Sequence, residues 1–266
     1  MLGTRVITAA ALLMVLLPAL FFLPSALWRY AVLLVLAVAS WEWARLARFS
    51  GKYMWAFVIL TAIAGGILQA VFPGAARASY GIAFVFWVLV VPIMFLTALR
   101  PSGWLAAIAG WCVLLPFASA VVDLREMGPW LLVSVMALVW VADIAAYFFG
   151  RAFGAHKLAP AISPGKTWEG VAGAVLATTV YALANVYLGN PLFGQEPVWR
   201  GVLIAATLLT AVSVIGDLFE SAMKRSAGLK DSSNLLPGHG GVLDRIDSLT
   251  STLPLAALLL IWGGKL

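Results

Sequence analysis

The chain has 266 residues, 63% of them hydrophobic and only 11% charged, with a mean hydropathy of +1.01. A soluble domain carries about a quarter charged residues, so these values exclude one and indicate an integral membrane protein. The net charge of +6 contains no long basic run and no basic–aromatic alternation, which argues against a nucleic-acid footprint and makes the basic residues a topology signal.

A hydrocarbon core of about 30 Å needs around 20 helical residues to cross it. Nine apolar segments meet that length, at about 6–24, 27–47, 54–72, 79–99, 103–122, 128–149, 168–188, 200–223 and 247–263. The expected fold is an all-α polytopic membrane protein, one membrane domain over residues 1–266. Within it, 1–127 reads as mainly scaffold, 128–250 as catalytic helices with polar loops at 150–166 and 224–246, and 247–266 as the last helix.

The first segment follows Arg5, as a signal peptide would, but runs to Leu23 with no small-x-small cleavage site after it. It reads as a retained helix that Pro18 can bend. The single Cys112 lies in an apolar run, which excludes an intramolecular disulfide and a cysteine metal site and leaves a buried structural thiol.

With a cytoplasmic N-terminus, twelve basic residues fall on the inner side: Arg5, Arg45, Arg48, Lys52, Arg100, Arg151, Lys157, Lys166, Lys224, Arg225, Lys230 and Arg245. Five fall outside: Arg29, Arg77, Arg125, Arg200 and Lys265. The excess predicts the N-terminus in, the C-terminus out, and both polar loops on the cytoplasmic face.

The N-terminal half is poor in polar residues outside its loops, and its mid-segment acid Glu42 stands between Trp41 and Trp43. It reads as scaffold and lipid contact, with Trp28, Trp41, Trp43, Trp55 and Trp104 as aromatic belts near helix ends.

Charge inside a membrane segment is costly and points to function. Asp143, with Tyr147 one turn further on, fits either a metal or lysine partner or a buried hydrogen bond between helices. The run Ser163-Pro164-Gly165-Lys166-Thr167-Trp168-Glu169-Gly170 contains Gly-Lys-Thr, but a phosphate-binding P-loop needs a glycine five positions before Gly165 and a strand ahead of it. Position 160 is Pro, so that reading is rejected. Ser163 as N-cap and Pro164 at the first helical position would instead place Lys166 and Thr167 in a first turn able to bind an anion. The plainer alternative is a capped helix with an anchor lysine.

Asp217, Glu220 or Ser221, and Lys224 follow i, i+3/i+4, i+7 spacing and form one polar stripe on an apolar helix. Asp244, Asp247 and Ser248 repeat the pattern at the start of the last helix. Two acid-bearing helix ends facing one another suit a hard cation such as Mg²⁺. Between them, Gly238-His239-Gly240-Gly241 can expose backbone N–H groups to phosphate oxygens, with Lys224, Arg225, Lys230 and Arg245 as charged clamps. His239 would donate to a phosphate or a leaving group, and Asp231 beside Lys230 reads equally as a solvated pair.

Ser221, Met223, Lys224-Arg225, Lys230-Asp231, Pro237, His239-Gly240-Gly241, Asp244-Arg245 and Asp247 resemble the signature of the bacterial phosphatidate cytidylyltransferase (CDP-diglyceride synthase) family. Ser163-Pro164, Lys166-Thr167, Glu169-Gly170, the Asp143 segment and Gly216-Asp217 look like further family elements. The resemblance covers roughly residues 130 to 250. It implies a Mg²⁺-dependent inner-membrane enzyme, expected as a homodimer, that joins CTP and phosphatidic acid to give CDP-diacylglycerol and pyrophosphate, with its active site facing the cytoplasm.

On that reading Asp217, Asp244 and Asp247 would ligate Mg²⁺ on the nucleotide phosphates, with allowance for a second cation. Lys166, Lys224, Arg225, Lys230, His239 and Arg245 would hold phosphates, with Ser163, Thr167, Ser221, Gly240 and Gly241 around them. The phosphatidate oxygen is already anionic, so positioning and charge neutralisation would carry catalysis.

The rival readings are a cation-coupled secondary transporter using Asp143 and Asp217, a cytidylyltransferase for another lipid phosphate, a CDP-alcohol phosphotransferase, and a non-catalytic scaffold. The one-sided clustering of acids and basic loops, and the lack of an inverted repeat, count against transport. The four-aspartate run of the phosphotransferases is absent.

Overall fold

The computed structural model describes residues 2–70, 73–188 and 199–262. Lys265 lies outside the described residues, as do the side chains of Arg5 and Arg200.

Apolar sequence in a membrane must satisfy its backbone internally, and the chain does so with helices. The helices are α1 (Leu2–Phe22), α2 (Ser25–Leu46), α3 (Gly51–Ala70), α4, α5 (Gly103–Met127), α6 (Pro129–Phe153), α7 (Trp168–Tyr187), α8 (Trp199–Ser226) and α9 (Leu243–Trp262). Helix α4 is continuous through Pro73–Val85, a π-helical stretch Phe86–Val90, and Val91–Leu96. The π stretch lies just before Pro92, whose missing N–H and bulky ring disturb the turn before it. All nine apolar segments thus correspond to helices, and among the described residues eight of them are long and apolar enough to cross a membrane. The protein is a multi-pass membrane protein.

One exception to helix carries a correction. Lys157–Ala159 (β1) and Ser163–Thr167 (β2) form an antiparallel hairpin, pairing Lys157 with Thr167 and Ala159 with Ser163. Ser163 is therefore not an N-cap and Lys166 is not in a helical first turn. The cap of α7 is Thr167, whose Oγ1 accepts from Gly170 N at 3.1 Å. Pro164 opens an extended segment, which its fixed φ and lost donor also suit.

Close helix pairs use missing side chains. A Cβ on Gly170 would lie 2.8 Å from the Ala146 carbonyl of α6, and one on Gly216 would lie 2.9 Å from the Asp247 carbonyl of α9. These contacts hold α7 on α6 and α8 on α9, the surfaces that carry the polar residues.

The N-terminal half departs from a purely lipid-facing scaffold. Trp43 is buried and donates Nε1–H to the Ala106 carbonyl at 2.7 Å, and Trp28 is buried under the Arg125 guanidinium. Only Trp55 and Trp104 of the expected belt are strongly exposed, whereas Trp41 stacks beneath Arg45. Arg125 in turn donates to the Leu20 and Leu23 carbonyls, and Arg29 pairs with Glu126 at 2.5 Å. These contacts close the end of the bundle remote from the loops. Cys112 is a free, half-buried thiol packed against the core.

At the other end the basic segments meet. Arg45 donates to the Ser232 carbonyl at 2.8 Å and Arg48 to that of Ser226, while Gly103 N donates to the Ala47 carbonyl at 3.1 Å. Thr8, near the start of α1, donates to the Pro237 carbonyl at 3.0 Å. Residues predicted to share one membrane side therefore share one end of the molecule.

Candidate active site

The polar residues at this end fall into three connected groups. The first joins the hairpin to α8. Lys166, carried by β2, places Nζ 2.6 Å from Asp217 Oδ2, and Ser221 Oγ, one turn on, donates to Asp217 Oδ1 at 3.3 Å. Asp143, exposed on α6, lies within charge range of Asp217, Lys166 and Arg245. Asp247, half-buried on α9, lies within charge range of Asp217 and Asp143 and accepts from Ser248 N at 2.7 Å. Three other elements thus bring two carboxylates and two cations within charge range of Asp143.

The second group is internal. Lys224 on α8 is buried between Glu220, 3.1 Å away, and Asp244 on α9, 2.6 Å away. The remaining Asp244 oxygen accepts from Ser232 N at 2.9 Å, Ser232 Oγ at 2.8 Å and Gly241 N at 2.8 Å. The expected polar stripe is present, but here it closes on itself. A buried ammonium shared by two carboxylates is a lock between α8 and α9, since each charge needs the other to be tolerated away from water.

The third group is the loop between α8 and α9. It walls an open polar cavity of about 610 Å³, lined by Lys230, Asp231, Asn234, His239, Gly240 and Arg245 among others. Gly238 and Gly240 have φ of +75° and +82°, a left-handed backbone that glycine adopts without steric cost. A Cβ on Gly240 would also lie 2.6 Å from Asp244 Oδ2. Leu236 N donates to the Gly240 carbonyl and His239 N to the Leu236 carbonyl, both at 2.8 Å, which folds the turn tightly.

That folding engages part of the Gly238–Gly241 turn. Within it the amides of His239 and Gly241 donate to acceptors inside the protein, as do those of Val242 and Leu243 just after it. Arg225 is exposed and turns back to the Leu229 carbonyl at 3.3 Å. Ser163 is half-buried in the hairpin, and Thr167 is committed to its cap.

Among the described residues, no three of His, Cys, Asp and Glu converge into a ready-made metal cage. Asp244 has both oxygens engaged inside the protein and Asp217 has both engaged by Lys166 and Ser221, while Asp247 and Asp143 are further hard oxygen donors around the cleft.

Two features were not legible from sequence. Glu42, placed with the scaffold, is completely buried against the loop. Its carboxylate accepts from Ser233 Oγ, Val242 N and Leu243 N at 2.5, 3.0 and 2.6 Å. The one hint was an acid set between two tryptophans inside an apolar segment, a costly placement without a partner. Glu169 accepts from His156 through Nδ1 at 2.6 Å and through the backbone N at 3.2 Å, tying the approach of β1 to the first turn of α7. The spacing of thirteen residues across a hairpin gives no periodic signal.

Comparison with known proteins identifies the family. A sequence model of the cytidylyltransferase family matches residues 3–262. A phosphatidate cytidylyltransferase of Pseudomonas aeruginosa is 42% identical, over 99% of this chain and 98% of that protein. Its namesake from Haemophilus influenzae is 37% identical over 96% of each chain, and one from Brucella suis 41% identical over 84% of this chain and 79% of its own. The chain belongs to the cytidylyltransferase family.

Proposed function

We propose that this protein is a phosphatidate cytidylyltransferase, transferring CMP from CTP to phosphatidic acid with release of pyrophosphate. The observation that carries the reading is near-full-length identity to proteins of that name. It agrees with a polar, basic cavity at the end of a helical bundle whose walls are apolar.

The cavity suits the nucleotide. Lys230, His239 and Arg245 can bind its phosphate oxygens, and Arg245 also faces the carboxylates of the cleft. Lys166 stands at the junction and is placed to hold a phosphate of either substrate. The lipid phosphate attacks the α-phosphorus, its oxygen forms the new P–O bond, and the α–β bond breaks to release pyrophosphate. The nucleophile is already an anion, so these residues act by alignment and by offsetting negative charge.

Asp217 and Asp247, with Asp143 nearby, would hold Mg²⁺, which typically takes one or two carboxylates and completes its shell with substrate phosphates and water. When bound it would neutralise charge on the triphosphate. Asp244 positions the loop and Lys224 rather than reaching the cavity.

The same reading places the protein in the bacterial inner membrane with the cleft facing the cytoplasm, supported by the basic residues gathered at that end. A homodimer belongs to it through the family resemblance, and the detergent-corrected mass from light scattering tests that.

The decisive experiment incubates purified protein with phosphatidate, Mg²⁺ and each of the four labelled nucleoside triphosphates. Label entering lipid from CTP alone supports the activity. No lipid labelling, or equal labelling from all four, sinks it.

A further inference from the structure

The Glu42 carboxylate, on α2, meets residues about 200 positions away with three donors and a hydroxyl that it shares with Asp244. Oε1 accepts from Ser233 Oγ and Val242 N, and Oε2 accepts from Leu243 N and, at 3.2 Å, from Ser232 Oγ. Two of these are amides at the entry to α9. A carboxylate there satisfies otherwise orphaned N–H groups and complements the helix dipole. Gly241 leaves the space for it, because a Cβ would run into Glu42 and the Ser232 hydroxyl.

The end of α2 and the turn after it grip this region more widely. Arg45 and Arg48, three and six residues after Glu42, hold the Ser232 and Ser226 carbonyls. Ser232 is the link to the site. Its hydroxyl lies 2.8 Å from Asp244 Oδ2 and 3.2 Å from Glu42 Oε2, and its amide also donates to Asp244. Asp244 in turn holds Gly241 N, next to the cavity-lining Gly240, and is followed by Arg245.

We infer that Glu42 is a positioning residue for the nucleotide. Through Ser232, Val242 and Leu243 it fixes Asp244 and the first turn of α9, and so places His239, Gly240 and Arg245 around the triphosphate. The inference rests on the proposed activity. It commits the N-terminal half of the chain to the chemistry through one carboxylate that touches no substrate.

A glutamine at this position keeps the shape but presents an NH₂ to donors that need an acceptor. The full-length protein in detergent is assayed as wild type, Glu42→Gln, Ser232→Ala and the double variant, varying CTP at saturating phosphatidate and then the reverse. Thermal melting and size exclusion are measured on each. The KM for CTP should rise about tenfold in Glu42→Gln and in Ser232→Ala, the scale of one lost hydrogen bond to a charged group. The KM for phosphatidate should stay within about twofold, and the double variant should be little worse than the weaker single, because the two residues act on one path.

Folded variants with a wild-type KM for CTP overturn the inference. So does a loss of kcat with both KM values unchanged, which reports only less active protein. If Glu42→Gln does not fold, Ser232→Ala decides alone, and a wild-type KM for CTP in it overturns the role. Inactive wild-type protein sinks the activity and the inference together, whereas active wild type with unaltered variants sinks only the inference.

Discussion

Lys166 and Asp217 meet at 2.6 Å, and through this contact the β-hairpin reaches across to α8. Both side chains remain partly accessible at 23% and 29%, so the pair borders the cleft and is not sealed beneath it. Lys166→Ala and Asp217→Ala should each lower CTP-dependent lipid labelling about 10²–10³-fold, the scale for removing one preorganised charge. The exchanged pair Lys166→Asp with Asp217→Lys restores the attraction but puts each charge in the wrong place for substrate. Recovery of activity in that double variant would show the contact to be structural only.

The acids are expected to divide by role. Asp217→Asn and Asp247→Asn should raise the Mg²⁺ concentration needed for half-maximal rate, because Mg²⁺ takes few protein ligands and each one counts. Asp244→Asn should leave that requirement near wild type and lower the melting temperature, since its oxygens serve Lys224, Ser232 and Gly241. A Mg²⁺ titration read beside a melting curve separates the two. An unchanged Mg²⁺ requirement in Asp217→Asn and Asp247→Asn would remove them from the metal site.

Removing Lys224 leaves Glu220 and Asp244 buried without their shared counter-charge. Breaking a buried pair at one partner costs about 3–5 kcal/mol, so Lys224→Met should melt well below wild type in detergent. Glu220→Gln should cost less, because Lys224 keeps Asp244. Equal melting temperatures for Lys224→Met and wild type would contradict the lock between α8 and α9.

The orientation of the bundle is open to chemical labelling. In a Cys112→Ser background, Leu235→Cys on the loop and Trp130→Cys at the remote end both place a thiol at an exposed position. A membrane-impermeant maleimide added to intact spheroplasts should label position 130 and spare position 235, and lysis should expose 235. The reverse pattern would turn the protein over.

Much of the architecture was readable because membrane insertion leaves few options. A run of about 20 apolar residues in hydrocarbon must be a helix to satisfy its backbone. Helix boundaries blurred where polar sequence allowed a choice. Ser163-Pro164 carries the composition of a helix start, yet pairing with Lys157–Ala159 drew it into a strand and moved the cap to Thr167. The site was readable as a set of residues because charge in this chain is scarce. Their division of labour was not, because Asp217, Asp244 and Asp247 are the same residue type and differ in what surrounds them.

The sequence by itself determined that the chain crosses the membrane repeatedly and that Asp217 with Lys224, and Asp244 with Asp247, form polar stripes on two apolar helices. These follow from hydropathy, charge and the 3.6-residue period, which are local. Only the tertiary structure decided that Lys224 faces inward to two carboxylates, that Lys166 reaches Asp217 from a hairpin, and that Glu42 holds the start of α9. Apart from Lys224 with Glu220, one turn apart on the same helix, those contacts span 20 to 201 positions of chain, and what fixes them is the burial of charges and amides that find partners only when distant helices pack together.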